Sequence, residues 1–215
     1  RGGGRHLHRR GAQDGFNQME KYLAAQTAAE QQMAGASAKL LAAQQQFAKA
    51  NNIQLQMEPG SVTEAQQLNA LNEYQRNIFL RSFRVSKLNA QFLLAMEQEG
   101  AENLEQIRQQ LLQANSEEIP QLKKVADYNG DTAYRDAVVA QLEILQALAK
   151  DDYPALVKVK TKGDQLTQED VNAYNTAISK VNTELNPATE KINVALQNLL
   201  RKNVPKPALR GVKQI

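Results

Sequence analysis

Few residues in this chain have the type and spacing that chemistry requires. Its two histidines, His6 and His8, stand two apart in an Arg/Gly-rich start and can hold a transition metal only loosely. No His follows them, so the Glu-x-x-His pairs of a di-iron bundle and the axial His of a bundle haem are missing. Met19, Met33, Met57 and Met96 then read as apolar fillers. The absence of Cys excludes disulfides, thiol catalysis and thiolate metal sites. Ser37, Ser82, Ser86 and Ser179 have no motif around them, and Ser61 and Ser116 read as helix caps. The acid pairs Glu117-Glu118, Asp151-Asp152 and Glu169-Asp170 fall at expected helix starts or breaks, where carboxylates favour the positive end of the dipole. Gly2-Gly3-Gly4 follows no strand and makes no phosphate loop. Asn129-Gly130-Asp131 reads as a turn with an Asp cap, since no calcium-loop spacing continues from it. The expectation is a protein without catalytic residues, metal or cofactor, and not an enzyme.

One constellation survives. Arg81 falls on the inward row of the second expected helix, with Arg84 close by on the same helix. A guanidinium turned inward needs an acid or water, or else its stem carries the charge out to the edge. Arg81, Arg84 and Tyr74 are therefore the candidate polar network or pocket for an anionic ligand.

The elements that must position these residues are helices. A first helix is expected over 16–50. Met19, Gln26, Met33, Leu40 and Phe47 form one row at seven-residue spacing, and Tyr22, Ala29, Ala36, Ala43 and Ala50 form the second. A large row beside an Ala row lets a partner helix approach closely. Pro59-Gly60 breaks the chain, and Ser61 with Glu64 fits a capping box opening a second helix to about 99. Its row is Leu71, Ile78, Val85 and Phe92, flanked by Leu68, Tyr74, Leu88 and Ala95. Two short helices, 101–114 and 117–128, are separated at Asn115-Ser116 and read as a crossover. A long helix follows from Thr132 to Lys162, with a kink or break expected before Pro154. The last, 167–202, runs from Val171 through Tyr174, Ile178, Val181, Leu185, Ala188, Ile192 and Ala195 to Leu199, with a kink at Asn186-Pro187. No period-two alternation is present. The fold class is all-α: a four-helix bundle of long amphipathic helices with a short helical crossover at about 101–128.

Composition agrees with that class. Apolar residues are 42% and charged residues 23% of the 215, while aromatics are 5% and Trp is absent, so the core must be aliphatic. The chain carries 26 Gln and 17 Asn, which solvate helix faces without a strong field. The net charge of +3 comes from the ends. Residues 11–200 hold 17 basic against 23 acidic groups, a poor nucleic-acid platform. Residues 1–15 read as a flexible basic tail or a non-native remnant, 16–203 as one bundle domain, and 204–215 as an extended basic tail. No apolar run is long enough to span a bilayer.

The stretch from Tyr128-Asn129-Gly130-Asp131 to Thr132-Ala133-Tyr134, with Asp151-Asp152-Tyr153 some twenty residues on, resembles uncharacterised bacterial exported surface proteins. These are small helical bundles, often lipid-anchored. Across residues 16–203 the resemblance implies export and a periplasmic or surface role, and it carries no catalytic residues. The chain departs from lipid-anchored members in lacking a lipobox Cys. The expected function is a non-enzymatic exported protein of the bacterial envelope or surface, acting through protein partners or self-association of helix faces. The alternatives are a ligand-binding or sensory bundle, or an anionic-polymer binder acting through the tails.

Overall fold

The computed structural model describes the backbone at residues 3–51, 61–97 and 103–204, and the side chains there except at 3–14, 30, 34, 37, 41, 61–65 and 164. The expected Ser61–Glu64 box, the connection after Asn51, the break at Gly100 and the tail from 205 onward lie outside those residues. The described residues are about 90% helix, with no strand among them. It divides into two units, Arg1–Thr63 and Glu64–Ile215.

The first unit is dominated by α1, Gly3–Ala50. The helix begins at Gly3 rather than near Phe16, so the backbone of the expected flexible segment is helical as far as Gly15. Gly disfavours a helix interior by about 1 kcal/mol each but does not forbid it, and no Pro interrupts the run.

The second unit holds α2 (Ser61–Ala95), α3 (Leu104–Lys123), α4 (Ala133–Ala147), α5 (Tyr153–Lys162), α6 (Gln168–Lys180) and α7 (Asn186–Asn203). A π turn at Leu148–Asp152 joins α4 to α5, and another at Val181–Leu185 joins α6 to α7. The described residues therefore make five helical rods, not four. The extra rod is α3, which fuses the two short helices expected over 101–128. Asn115 does not stop it: the side chain is buried and its Nδ2 donates to the Leu111 carbonyl at 3.0 Å. Pro120 sits exposed in the last turn of α3, where it takes one N–H out of the ladder without ending the helix.

One aliphatic core runs through α2 to α7. Leu71, Ile78, Val85 and Phe92 of α2 are fully buried, as their spacing predicts, against Leu104, Leu111 and Leu122 of α3, Leu142 of α4 and Leu156 of α5. Leu185 and Leu199 close it from the last rod, while Val171, expected on the same row, is exposed.

Neither Pro154 nor Pro187 breaks its helix. Each lies one residue past the point where a π turn closes, with Tyr153 N donating to the Leu148 carbonyl and Asn186 N to the Val181 carbonyl. The wider turn accepts the missing donor. In π register Pro154 would have served the Ala149 carbonyl. Arg108, largely buried on α3, serves it instead through Nη1 at 2.8 Å, while Nε and Nη2 hold Glu105. A carbonyl stripped of its donor costs about 1–3 kcal/mol, so Arg108→Ala should destabilise by that amount. In a Pro154→Ala background an N–H returns and the cost should shrink by about 1 kcal/mol. A urea-denaturation double-mutant cycle measures this, and strictly additive losses would refute the pairing.

Candidate functional site

Arg81 and Arg84 meet the acid pair of α3. Arg81 Nη1 lies 3.0 Å from Glu118 Oε2 and its Nε 3.2 Å from Asn77 Oδ1. Arg84 Nη1 reaches Glu117 Oε2 at 2.7 Å and Glu118 Oε1 at 3.1 Å. Gln113 Nε2 donates to the other Glu117 oxygen at 2.9 Å. The Arg84 hydrogen bond holds the Glu117 carboxyl below its usual range. This network joins α2 to α3 at a partly solvated edge, with Arg81 one-third exposed and Glu118 largely buried. Tyr74 is not part of it. It lies two turns earlier, its ring 5.5 Å from that of Tyr128, and its buried hydroxyl has no partner among the described residues. Burial raises its pKa.

The other acid pairs are also engaged. Asp152 Oδ1 takes Lys180 Nζ at 2.7 Å, across from the first π turn to the end of α6. Asp170 is 3% exposed and takes Lys158 and Lys162, each at 2.7 Å. It also completes a capping box with Thr167 at the start of α6. Those lysine hydrogen bonds hold its carboxyl far below the usual range. A carboxylate held so low is a weak base and a poor catalyst of proton transfer near neutrality. Among the described residues no group of three or more His, Asp or Glu could hold a metal ion.

The Asn-Gly pair forms the tight turn that its sequence predicts. Asn129 and Gly130 have φ of 54° and 78°, and Tyr128 and Asp131 exchange both backbone hydrogen bonds, a type I′ geometry. Asp131 Oδ1 accepts from Ala133 N, and Lys202 Nζ reaches Oδ2 at 2.8 Å. Tyr128 hydroxyl donates to the Gln67 carbonyl. The turn thus ties the beginning of α2 to the end of α7.

Two surface features were less visible. A groove of about 950 Å³ runs between α3 and the α4 rod, lined by the amides of Gln106, Gln109, Gln110, Gln113 and Gln146 with Lys150 and Asp151 of the π turn. Its signal was in the sequence, as four Gln at helical spacing, but scattered amides elsewhere read as solvation. The second feature is the apolar row of α1. Tyr22 is 62%, Met33 69%, Leu40 61% and Phe47 63% exposed. The spacing that buries Leu71 to Phe92 on α2 leaves these side chains in water. A row of large apolar groups open to solvent marks an interaction surface.

No protein-family model, no curated protein and no solved structure matches this chain. No helix among the described residues is long and apolar enough to cross a membrane. His6 and His8 and the basic residues of the tail from 205 onward lie outside the described side chains.

Proposed function

We propose that this chain is a non-enzymatic helical protein of the bacterial envelope or surface that works by protein–protein contact. The exposed heptad row of α1 carries the contact half of this reading. The four rods of α2 to α7 are proposed as a four-helix bundle, the body that carries the contact helix. Export rests on the resemblance at Tyr128–Tyr134 and on a chain without Cys, which suits an oxidising space.

Two measurements test it. Met33→Glu with Leu40→Glu should abolish association with any partner while the melting of the α2–α7 core stays within about 2 °C of the parent. Detection of the protein in the envelope fraction of the cell that makes it should exceed detection in the cytosol. A purely cytosolic protein overturns the export half, and association indifferent to both charges overturns the contact half.

The amide-lined groove favours a second reading, binding of a polar chain whose hydrogen-bonding groups meet the Gln ladder. Gln109→Leu with Gln113→Leu should then remove thermal stabilisation by soluble peptides or oligosaccharides. Absence of stabilisation of the parent by any of them removes this reading.

A further inference from the structure

The row on α1 has properties that select its partner. Its spacing is seven residues from Met19 to Phe47, apolar at every position but Gln26. On a straight helix such a row drifts by about 20° per heptad, so only a partner that supercoils with it meets the whole row. Isolated helices depend on tertiary packing rather than on propensity, and the exposed row is where such packing is missing.

The two rows are complementary to each other. One is large: Met19, Gln26, Met33, Leu40, Phe47. The other is small except at its start: Tyr22, Ala29, Ala36, Ala43, Ala50. In a parallel pair each row faces itself, so crowded layers of two large groups alternate with hollow layers of two Ala. In an antiparallel pair the large row of one helix faces the small row of the other, so four layers set one longer side chain against an Ala and only the Phe47–Tyr22 layer sets two large groups together. Large against small is how facing layers interdigitate.

The register is self-consistent for two identical helices. Position numbers of the facing residues sum to 69 in every layer: Met19 with Ala50, Gln26 with Ala43, Met33 with Ala36, Leu40 with Ala29, and Phe47 with Tyr22 of the second copy. This is the condition for a two-fold axis between positions 34 and 35. The aromatic pair Phe47–Tyr22 then falls near both ends and closes the seam. Flanking positions Gln18, Leu23, Ala25, Gln32, Ser37, Gln44 and Gln46 are uncharged, and the two charged ones, Glu30 and Lys39, fall opposite Ser37 and Gln32 of the second copy. No like-charge pair opposes the contact. Tyr22, Met33, Leu40 and Phe47 are 61–69% exposed, so pairing would remove large apolar groups from water.

We propose that α1 pairs with α1 of a second copy as an antiparallel coiled coil about this axis, making the protein a homodimer. This rests on the reading of the α1 row as the contact face and names its occupant. The natural absence of Cys makes the test clean. For the 215-residue chain, light scattering should give twice 23.9 kDa, and Met33→Glu with Leu40→Glu should raise the dimer dissociation constant about a hundredfold or more. An equal mixture of Met19→Cys and Ala50→Cys chains should form the mixed disulfide on mild oxidation. Met19→Cys alone should not, because the two copies of position 19 are roughly 46 Å apart. Efficient cross-linking of Met19→Cys with itself overturns the antiparallel register. A monomer at all concentrations overturns the dimer and leaves contact with a different protein standing. A dimer that survives both glutamates overturns α1 as the contact face, and with it the proposed function.

Discussion

Tyr153→Ala is expected to lower the unfolding free energy by about 4 kcal/mol, among the largest single-residue effects in the chain. Tyr153 opens α5 just past the first π turn and is fully buried. Its ring stacks on Phe92 of α2 with centroids 4.6 Å apart and planes within 1°. Its hydroxyl donates to Asn89 Oδ1 at 2.8 Å, in the interior. The residue thus supplies both the apolar mass and the polar anchor between α2 and the α4–α5 rod. Tyr153→Phe keeps the ring and strands the Asn89 acceptor, so its cost should be about 1–2 kcal/mol. The variant pair separates packing from hydrogen bonding in one urea series. A neutral Tyr153→Ala would show that the stack is not part of the core. Burial raises the phenol pKa well beyond the ordinary range, and Tyr134 is pushed up to about 12 by the same cause. A raised folded value adds stability that is complete below the unfolded pKa near 10 and lost as pH rises. Alkaline unfolding should therefore begin above about pH 10.

Period was the readable part of this sequence. Leu71, Ile78, Val85 and Phe92 recur every seventh residue, which sets them on one helix face, and all four are buried. Punctuation was read less well. Asn115-Ser116 carries the residues of a helix stop, yet Asn115 bonds its own helix at Leu111 and the helix goes on. Pro154 and Pro187 predicted kinks, and at each the structure has a π turn that closes one residue before the proline. The rescue of the Ala149 carbonyl by Arg108 depends on a residue 41 positions away, which no local pattern records. Arg81 was placed on the inward row, and its side chain lies one-third exposed at the edge between α2 and α3. Its acid, Glu118, could not be read, because that meeting depends on how α2 and α3 cross. On α1 both rows were legible, but a row states only that a face is apolar and leaves open what covers it. The groove glutamines were masked by their own abundance in the chain.

Replacing the carboxylate of Asp170 should change both the stability and its pH dependence. The buried side chain closes the capping box of α6 with Thr167 and takes two lysines from α5. Asp170→Asn keeps the shape and part of the cap but leaves Lys158 and Lys162 without their shared anion. The expected drop in Tm at pH 7 is about 5 °C. The pH signature follows from the depressed folded value of Asp170. A group whose folded pKa lies below its unfolded one contributes stability that is present above the unfolded pKa, near 4, and lost as pH falls through the folded value. Parent protein should therefore lose this contribution from about pH 4 downward, and the variant should lack that part of the slope. The two melting curves should diverge above pH 4 and approach each other toward pH 2. Glu117 and Asp131, lowered by Arg84 and Lys202, keep their own acid limb in both proteins and serve as the internal reference. Thermal melts between pH 2 and 7 decide the matter. Parallel curves for parent and Asp170→Asn would mean that the lysines neutralise this carboxylate no better than water does.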